Sequence, residues 1–340
     1  MTRRAWLGRA PLARRPVKVA AACGFASLFV AGTVLLAGSD ADRLAHHGGR
    51  GRNSEVLAPL PSLAPHALSG RLFAGHPPPR RLPRHCVADA ALARALAPLR
   101  RRGTGTIAVG IIDRATGVTA SYGGQTGFQT ASIVKVDILA ALLLKTQRRH
   151  VALDADDRGL AAEMIQVSDN DAASSLWDTI GGAPGLAAAN RDLGMRDTAP
   201  DEEAWGLTST TVTDQLRLLD DLTSPRSPLT AASRRYELSL LRHVVPVQDW
   251  GVTAAADPGT HPAVKNGWLP MGPQSWWTIN SIGVISHSGH QLLAAVLSSG
   301  QPSPGVGIAR VEALAKAAAV TVTVTCRRGA HSVMSFAHGR

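Results

Sequence analysis

The sequence predicts an α+β fold: a five-stranded antiparallel sheet flanked by helices from both ends of the domain, interrupted by a smaller all-helical subdomain. Three observations predict it. Strand patterns occur as a hairpin near residue 107 and as three more runs after residue 260. Between them, residues 150–254 show helical spacing broken by Gly181-Gly182, Pro184 and Pro225. A helical pattern precedes the hairpin and another follows the last strand, so both can cover one sheet face.

In chain order, Val87–Leu99 has helical spacing and ends at Arg100–Arg102 and Gly103, residues that suit a helix C-terminus. Ile107–Ile112 and Val118–Tyr122, split by Arg114-Ala115-Thr116-Gly117, read as the hairpin. Ala131–Leu144 is apolar almost all round, interrupted mainly by Ser132, Lys135 and Asp137, which predicts a helix buried on every side. A helix start is expected at Asp171–Ile180. Strand signals return at His261–Trp268, Trp276–Ile285 and Gln291–Leu297, and Val306–Ala319 closes the domain as an amphipathic helix.

Charge divides the 340 residues sharply. Residues 1–102 hold 17 Lys+Arg against 4 Asp+Glu, and residues 103–340 hold 19 against 21, so the total of +11 is +13 in the first part and −2 in the second. The basicity belongs to an N-terminal arm, and a nucleic-acid-binding domain is not supported. Arg3, Arg4, Arg9, Arg14, Arg15 and Lys18 precede Val19–Gly38, which carries no charge. A basic flank before about 20 apolar residues reads as a signal peptide or a single N-terminal membrane anchor over residues 1–38. Ala37-Gly38-Ser39 offers a small-residue cleavage site, and Thr2-Arg3-Arg4-Ala5-Trp6-Leu7 resembles a twin-arginine export signal. Cys23, at the start of the apolar run, is in the wrong place for a lipidated cysteine. The bulk of the chain is therefore expected outside the cytoplasmic membrane, anchored or secreted.

Residues 39–85, with His46-His47, Gly48-Gly49 and Pro77-Pro78-Pro79, read as a linker. No paired histidine spacing there supports a metal site, and neither metal nor cofactor is expected. The domain is expected over 86–326, its helical subdomain over about 126–254, and a frayed tail over 327–340. Cys86 and Cys326 bracket the domain, and in an exported protein this suggests a disulfide joining its first and last elements.

Ser132-Ile133-Val134-Lys135 opens the buried helix. Positions i and i+3 share a helix face, which brings Lys135 Nζ within reach of Ser132 Oγ. A buried lysine beside a second cation loses its proton readily, and an arginine cannot. Only five of the 36 basic residues are lysines: Lys18, Lys135, Lys145, Lys265 and Lys316. A lysine kept at 135 is what general-base chemistry requires. Ser168-Asp169-Asn170 precedes a helix start, where such residues serve as caps. Its serine can also relay a proton, and its asparagine can grip a substrate carbonyl. Lys265-Asn266-Gly267-Trp268 lies on the first late strand, where a glycine lets a substrate backbone lie alongside and the lysine presents a cation to its carboxylate. Of the tryptophans, Trp205, Trp250, Trp268, Trp276 and Trp277 fall in the region that would surround these motifs.

Together and in this order, the three motifs resemble the Ser-x-x-Lys, Ser-Asp-Asn and Lys-Thr-Gly set of class A β-lactamases and related penicillin-binding serine enzymes, over about residues 86–320. The resemblance implies a β-lactamase/DD-peptidase-like fold and a role for each matched position. Ser132 would be the nucleophile, Lys135 its base, Ser168 a proton relay, Asn170 the ligand of a substrate amide and Lys265 the group recognising a carboxylate. The N–H groups of Ser132 and Trp268 would form an oxyanion hole, and Asp169 would brace the loop.

This sequence departs from the family pattern in three ways. Asn266 replaces the usual Thr or Ser, although its amide can still donate to a carboxylate. The interval from Ser132 to Ser168 is short, implying a reduced helical subdomain and a more open site. No Glu-x-x-Leu-Asn loop, which in the family holds the deacylating water, is found, which leaves Glu202 and Glu203 as the nearest candidates for that role. The implied substrate is a β-lactam or a peptidoglycan stem peptide. The implied activity is acyl-enzyme formation and hydrolysis, with a D-alanyl peptidase, or a sensor that acylates with little turnover, as the alternative. His243, His261, His287 and His290 pair with no serine at a telling spacing, and no zinc motif or Gly-x-Ser-x-Gly elbow occurs.

Overall fold

The structure is a computed structural model that describes residues 88–124, 127–272 and 276–336, with residues 325–336 described by their backbone alone. The arm, the linker and Cys86 lie outside the described residues, as does the side chain of Cys326. The expected anchor and disulfide therefore fall outside them too. Among the described residues no helix is long and apolar enough to cross a membrane.

Helix α1 (Asp89–Arg102) leads into strands β1 (Thr106–Asp113) and β2 (Thr119–Tyr122), the expected hairpin. After β3 (Phe128–Gln129), a 3-10 turn at Ala131–Ile133 opens α2 (Val134–Arg148). Then come α3 (Ala155–Ala162), a π-turn at Glu163–Val167, α4 (Asn170–Ile180) and α5 (Gly182–Leu193). The two-residue β4 (Ser209–Thr210) pairs with β3, a short ladder that the helical reading of residues 150–254 did not include. Helices α6 (Val212–Thr223) and α7 (Ala231–Leu241) precede β5 (Ala263–Met271), β6 (Trp276–His287) and β7 (His290–Ser299). Helix α8 (Pro304–Phe336) runs well past the expected Ala319 because no Gly or Pro interrupts residues 308–328.

The five-stranded sheet has the order β2-β1-β7-β6-β5 and is antiparallel throughout. Both its faces are covered. On β7, Leu292, Ala294 and Val296 pack with α1 and α8, while Leu293, Ala295 and Leu297 pack toward the helical subdomain. On β1, Val109 and Ile111 face the terminal helices, and Ala108 and Ile112 face the other way. Burial on both faces explains why these strands read as unbroken apolar runs rather than as alternation.

Helix α2 is buried at every position from Val134 to Leu144, as its all-round apolar pattern predicts. It forms the axis of the helical layer, and its N-terminal turn meets the edge strand β5. That junction holds the motif residues.

Candidate functional site

Ser132 sits in the 3-10 turn ahead of α2, half-buried. The segment entering it is pinned from the sheet. Asn280 on β6 donates through Nδ2 to the carbonyls of Gln129 (2.8 Å) and Thr130 (3.0 Å) and accepts from the Ser298 N–H (3.0 Å). Ala131 is held at φ +47°, a left-handed conformation that a non-glycine residue adopts at a cost of about 1–3 kcal/mol.

From the other side, Gly267 on β5 lies against the same turn. A β-carbon there would stand 2.8 Å from Ser132 N and Thr130 O and 2.9 Å from Ile133 N. The glycine expected to admit a substrate backbone thus admits the nucleophile's own backbone.

Ser168 ends the π-turn in the left-handed region, at φ +62°. Such turns recur at functional sites, and this one turns the hydroxyl back toward α2. Asp169 caps α4 by accepting from the Ala172 N–H at 2.7 Å, the bracing role expected of it.

Lys135 is fully buried, and its Nζ donates to Ser168 O (2.7 Å), Asn170 Oδ1 (2.8 Å) and Ser168 Oγ (3.2 Å). Lys265 is also buried and donates to the same Ser168 Oγ (2.9 Å) and to Asn266 O (2.9 Å). Two lysines, from α2 and β5, therefore share one serine hydroxyl. Burial pushes Lys135 down to about 7, against an opposing pull from Asp169. Burial and the neighbouring Lys135 hold Lys265 well below the ordinary lysine range.

Three expectations need correction. The Lys135 amine is drawn to Ser168 and Asn170 rather than to Ser132. Ser132 Oγ makes no hydrogen bond among the described residues, so direct contact requires Nζ to exchange one of its present partners. Asn266 does not point at a substrate carboxylate. Strand alternation turns it away from the Lys265 side, and its Nδ2 donates to the carbonyls of Gln248 (2.7 Å) and Trp250 (3.1 Å). Lys265 is not an open cation for a carboxylate, because its buried amine is committed to Ser168 Oγ and Asn266 O.

Glu202 and Glu203 are exposed, and none of their hydrogen bonds reaches Ser132, Lys135 or Ser168. Asp201 organises their loop instead, accepting from the N–H groups of Glu203 (3.0 Å) and Ala204 (2.8 Å). The residue that this loop delivers to the site is Trp205, whose ring centroid lies 4.9 Å from Lys135 Nζ. Trp268 is 39% exposed beside the site, and its ring lies 6.1 Å from that of Trp250, so these two line one approach. Of the histidines, His290 pairs with Asp113 at 2.8 Å, far along the chain from any candidate nucleophile.

Sequence reasoning singled out Ser132, Lys135, Ser168, Asn170 and Lys265, and the structure brings these segments together. It missed Asn280, which carries no motif, and did not single out Trp205 from the other tryptophans.

Comparison with known proteins agrees with this fold. The model of the β-lactamase enzyme family matches residues 156–322. Over those residues the chain is similar to that family. The match takes in Ser168, Asn170 and Lys265–Trp268 and begins after Ser132 and Lys135. Proteins of Mycobacterium tuberculosis and Mycobacterium bovis whose name describes them as a candidate lipoprotein, LppW, are 30% identical over 207 residues, 58% of this chain. The chain spans 64% of the length of these curated relatives. Among solved structures, a class A β-lactamase from Bacteroides cellulosilyticus is 17% identical with a TM-score of 0.62, covering 70% of this chain and 99% of that one. A variant of the last common ancestor of Gram-negative class A β-lactamases is 24% identical with a TM-score of 0.60, covering 68% and 97%. The sheet, its terminal helices and the helical layer are thus those of the class A β-lactamase fold.

Proposed function

We propose that this β-lactamase-like protein is a serine acyl-transfer enzyme of the cell envelope that forms an ester between Ser132 and the carbonyl of a β-lactam or a peptidoglycan-like amide. The observation that carries the reading is the Ser168 hydroxyl held by both Lys135 and Lys265 next to the Ser132 turn. Neutral Lys135, on exchanging one partner for Ser132 Oγ, takes its proton as the oxygen attacks the carbonyl. The N–H groups of Ser132 and Trp268 receive the developing oxyanion, a contribution worth about 10²–10³ in rate for such donors. Ser168 then passes the proton to the leaving nitrogen as the C–N bond breaks, and the ester remains on Ser132. Lys265 Nζ, 2.9 Å from the same hydroxyl, holds Ser168 in place for that transfer. The Asn170 amide nitrogen, with its oxygen committed to Lys135, is free to meet the substrate's side-chain amide.

Placement at the envelope is supported by the basic flank and apolar run of residues 3–38 and by a lipoprotein-named relative. A second reading, a peptidase or sensor with little hydrolytic turnover, is favoured by one observation: the carboxylates of Glu202 and Glu203 stand outside the site.

Intact mass spectrometry of the protein after brief exposure to a penicillin tests the reading. The expected result is one equivalent of adduct, absent from Ser132→Ala, forming more slowly as the pH falls below about 7 because Lys135 is then protonated. No adduct on the parent protein, or an undiminished one on Ser132→Ala, would overturn it. An adduct lost within minutes indicates a hydrolase, and one that persists indicates the second reading.

A further inference from the structure

The loop at residues 201–208 closes over the start of α2, and its attachment is specific. The Thr130 N–H donates to Thr208 O at 2.8 Å, and Thr130 Oγ1 donates to Gly206 O at 3.4 Å. The loop's aromatic side chain, Trp205, is fixed at both ends. Its Nε1 donates to Ser174 Oγ at 3.2 Å on α4, one turn beyond Asn170, and its ring packs on the hydrophobic core of the helical layer. The ring face covers Lys135 Nζ at 4.9 Å, within cation–π range.

Besides its bond to Cε, a lysine nitrogen has three directions in which to make hydrogen bonds. In Lys135 these go to Ser168 O, Ser168 Oγ and Asn170 Oδ1, and the indole lies over the flank they leave. Hydrolysis of an ester on Ser132 needs a water that attacks the carbonyl carbon while giving its proton to a base, with the bond to Ser132 Oγ breaking and that oxygen regaining a proton. A water served by Lys135 must reach Nζ, and the indole closes the flank that the three partners leave open.

We propose that Trp205 is a positioning residue that shields Lys135 from water and so prolongs the life of the acyl-enzyme. The inference rests on the acyl-transfer reading above and adds what that reading leaves open: the fate of the ester. A long-lived ester suits transfer to an amine acceptor or covalent signalling better than rapid hydrolysis.

Two measurements on Trp205→Ala and Trp205→Phe test it. In the first, the penicillin adduct is formed, free penicillin removed, and the decay followed by intact mass. Decay should be about tenfold faster or more in Trp205→Ala, the scale of one lost contact of this class, with Trp205→Phe close to the parent protein. The adduct's formation rate is recorded separately, since a merely structural role would slow formation without shortening the adduct's life. Equal lifetimes in all three folded proteins would overturn the proposal.

The second needs no acyl chemistry. Peptide-level mass spectrometry after limited treatment with an amine-selective acylating reagent reads the reactivity of Lys135 against that of Lys316. Trp205→Ala should raise Lys135 labelling several-fold, and Trp205→Phe should not. Absence of any penicillin adduct on the parent protein would defeat the acyl-transfer reading, whereas unchanged Lys135 labelling in Trp205→Ala would defeat the shielding itself.

Discussion

Gly267 shows how much of this site is set by a single missing side chain. A glycine at this point of Lys-Asn-Gly was legible from the sequence, but its neighbour was not. The motif suggested room for a substrate, and the structure fills that room with the backbone of residues 130–133. Any β-carbon would push the Ser132 turn away from β5 and separate the Ser132 and Trp268 N–H groups. Gly267→Ala is therefore expected to slow adduct formation by about a hundredfold, as the loss of an oxyanion-hole donor does, while the protein stays folded by circular dichroism. A rate within threefold of the parent would show that the turn tolerates the shift. Asn266 makes the opposite point. Its amide type fits a carboxylate, yet strand alternation decides its direction, and it holds the Gln248–Trp250 segment instead. Asn280 gave no signal, because nothing local marks a polar residue in a buried strand as the anchor of a turn about 150 residues earlier.

At the scale of elements, the helix carrying Ser132 and Lys135 was legible because its apolar residues go all round, which leaves no surface to solvate. Asp137 was visible as an interruption of that helix, but what surrounds it was not. It is buried with Glu237 of α7 close enough to repel it, and the Asn190 amide on α5, turned so that its nitrogen faces Asp137, meets both carboxyl oxygens at 2.7 and 3.0 Å. Among the described residues both Glu237 oxygens lack a hydrogen-bond partner. Burial raises Asp137 to about 8, and burial together with Asp137 raises Glu237 well above the carboxylate range. The sign follows from linkage. A carboxyl whose folded value is raised contributes its full stability below its unfolded value, near 4, and that contribution is lost as the pH rises through the folded value. The helical layer should thus weaken from mildly acidic to alkaline pH. Glu237→Gln keeps the shape and removes one ionisation, so its Tm should exceed the parent's at pH 8 by roughly 5 °C and differ little at pH 4. An equal shift at both pH values would assign the effect to packing rather than to charge.

Over the whole molecule, the layered architecture was readable because strands buried on both faces leave long apolar runs, and because each run is bounded by turn residues. The convergence of Lys135, Ser168 and Lys265 was not readable from spacing, since Ser168 and Lys265 are 97 residues apart and meet only when β5 docks on the helical layer. That docking buries two lysines around one hydroxyl, and among the described residues no carboxylate is hydrogen-bonded to either. Such an arrangement costs stability, and a fold selected for stability alone would place an apolar side chain there. Lys265→Met fills the same volume without a charge. For a lysine whose folded value is lowered, the unfolded chain binds the extra proton, so the penalty is largest below the folded value and vanishes above the unfolded value near 10.5. Lys265→Met should therefore raise the Tm by several degrees at pH 6, with the gain shrinking as the pH approaches 10, and should slow adduct formation by about a hundredfold or more because Ser168 loses the hydrogen-bond partner that holds its hydroxyl for proton transfer. Thermal melts across pH, beside adduct rates on the same samples, would measure both. A variant neither more stable nor slower would mean that Lys265 is an ordinary part of the sheet. Greater stability with slower acylation would identify it as a group the fold keeps at its own expense for the chemistry at Ser132.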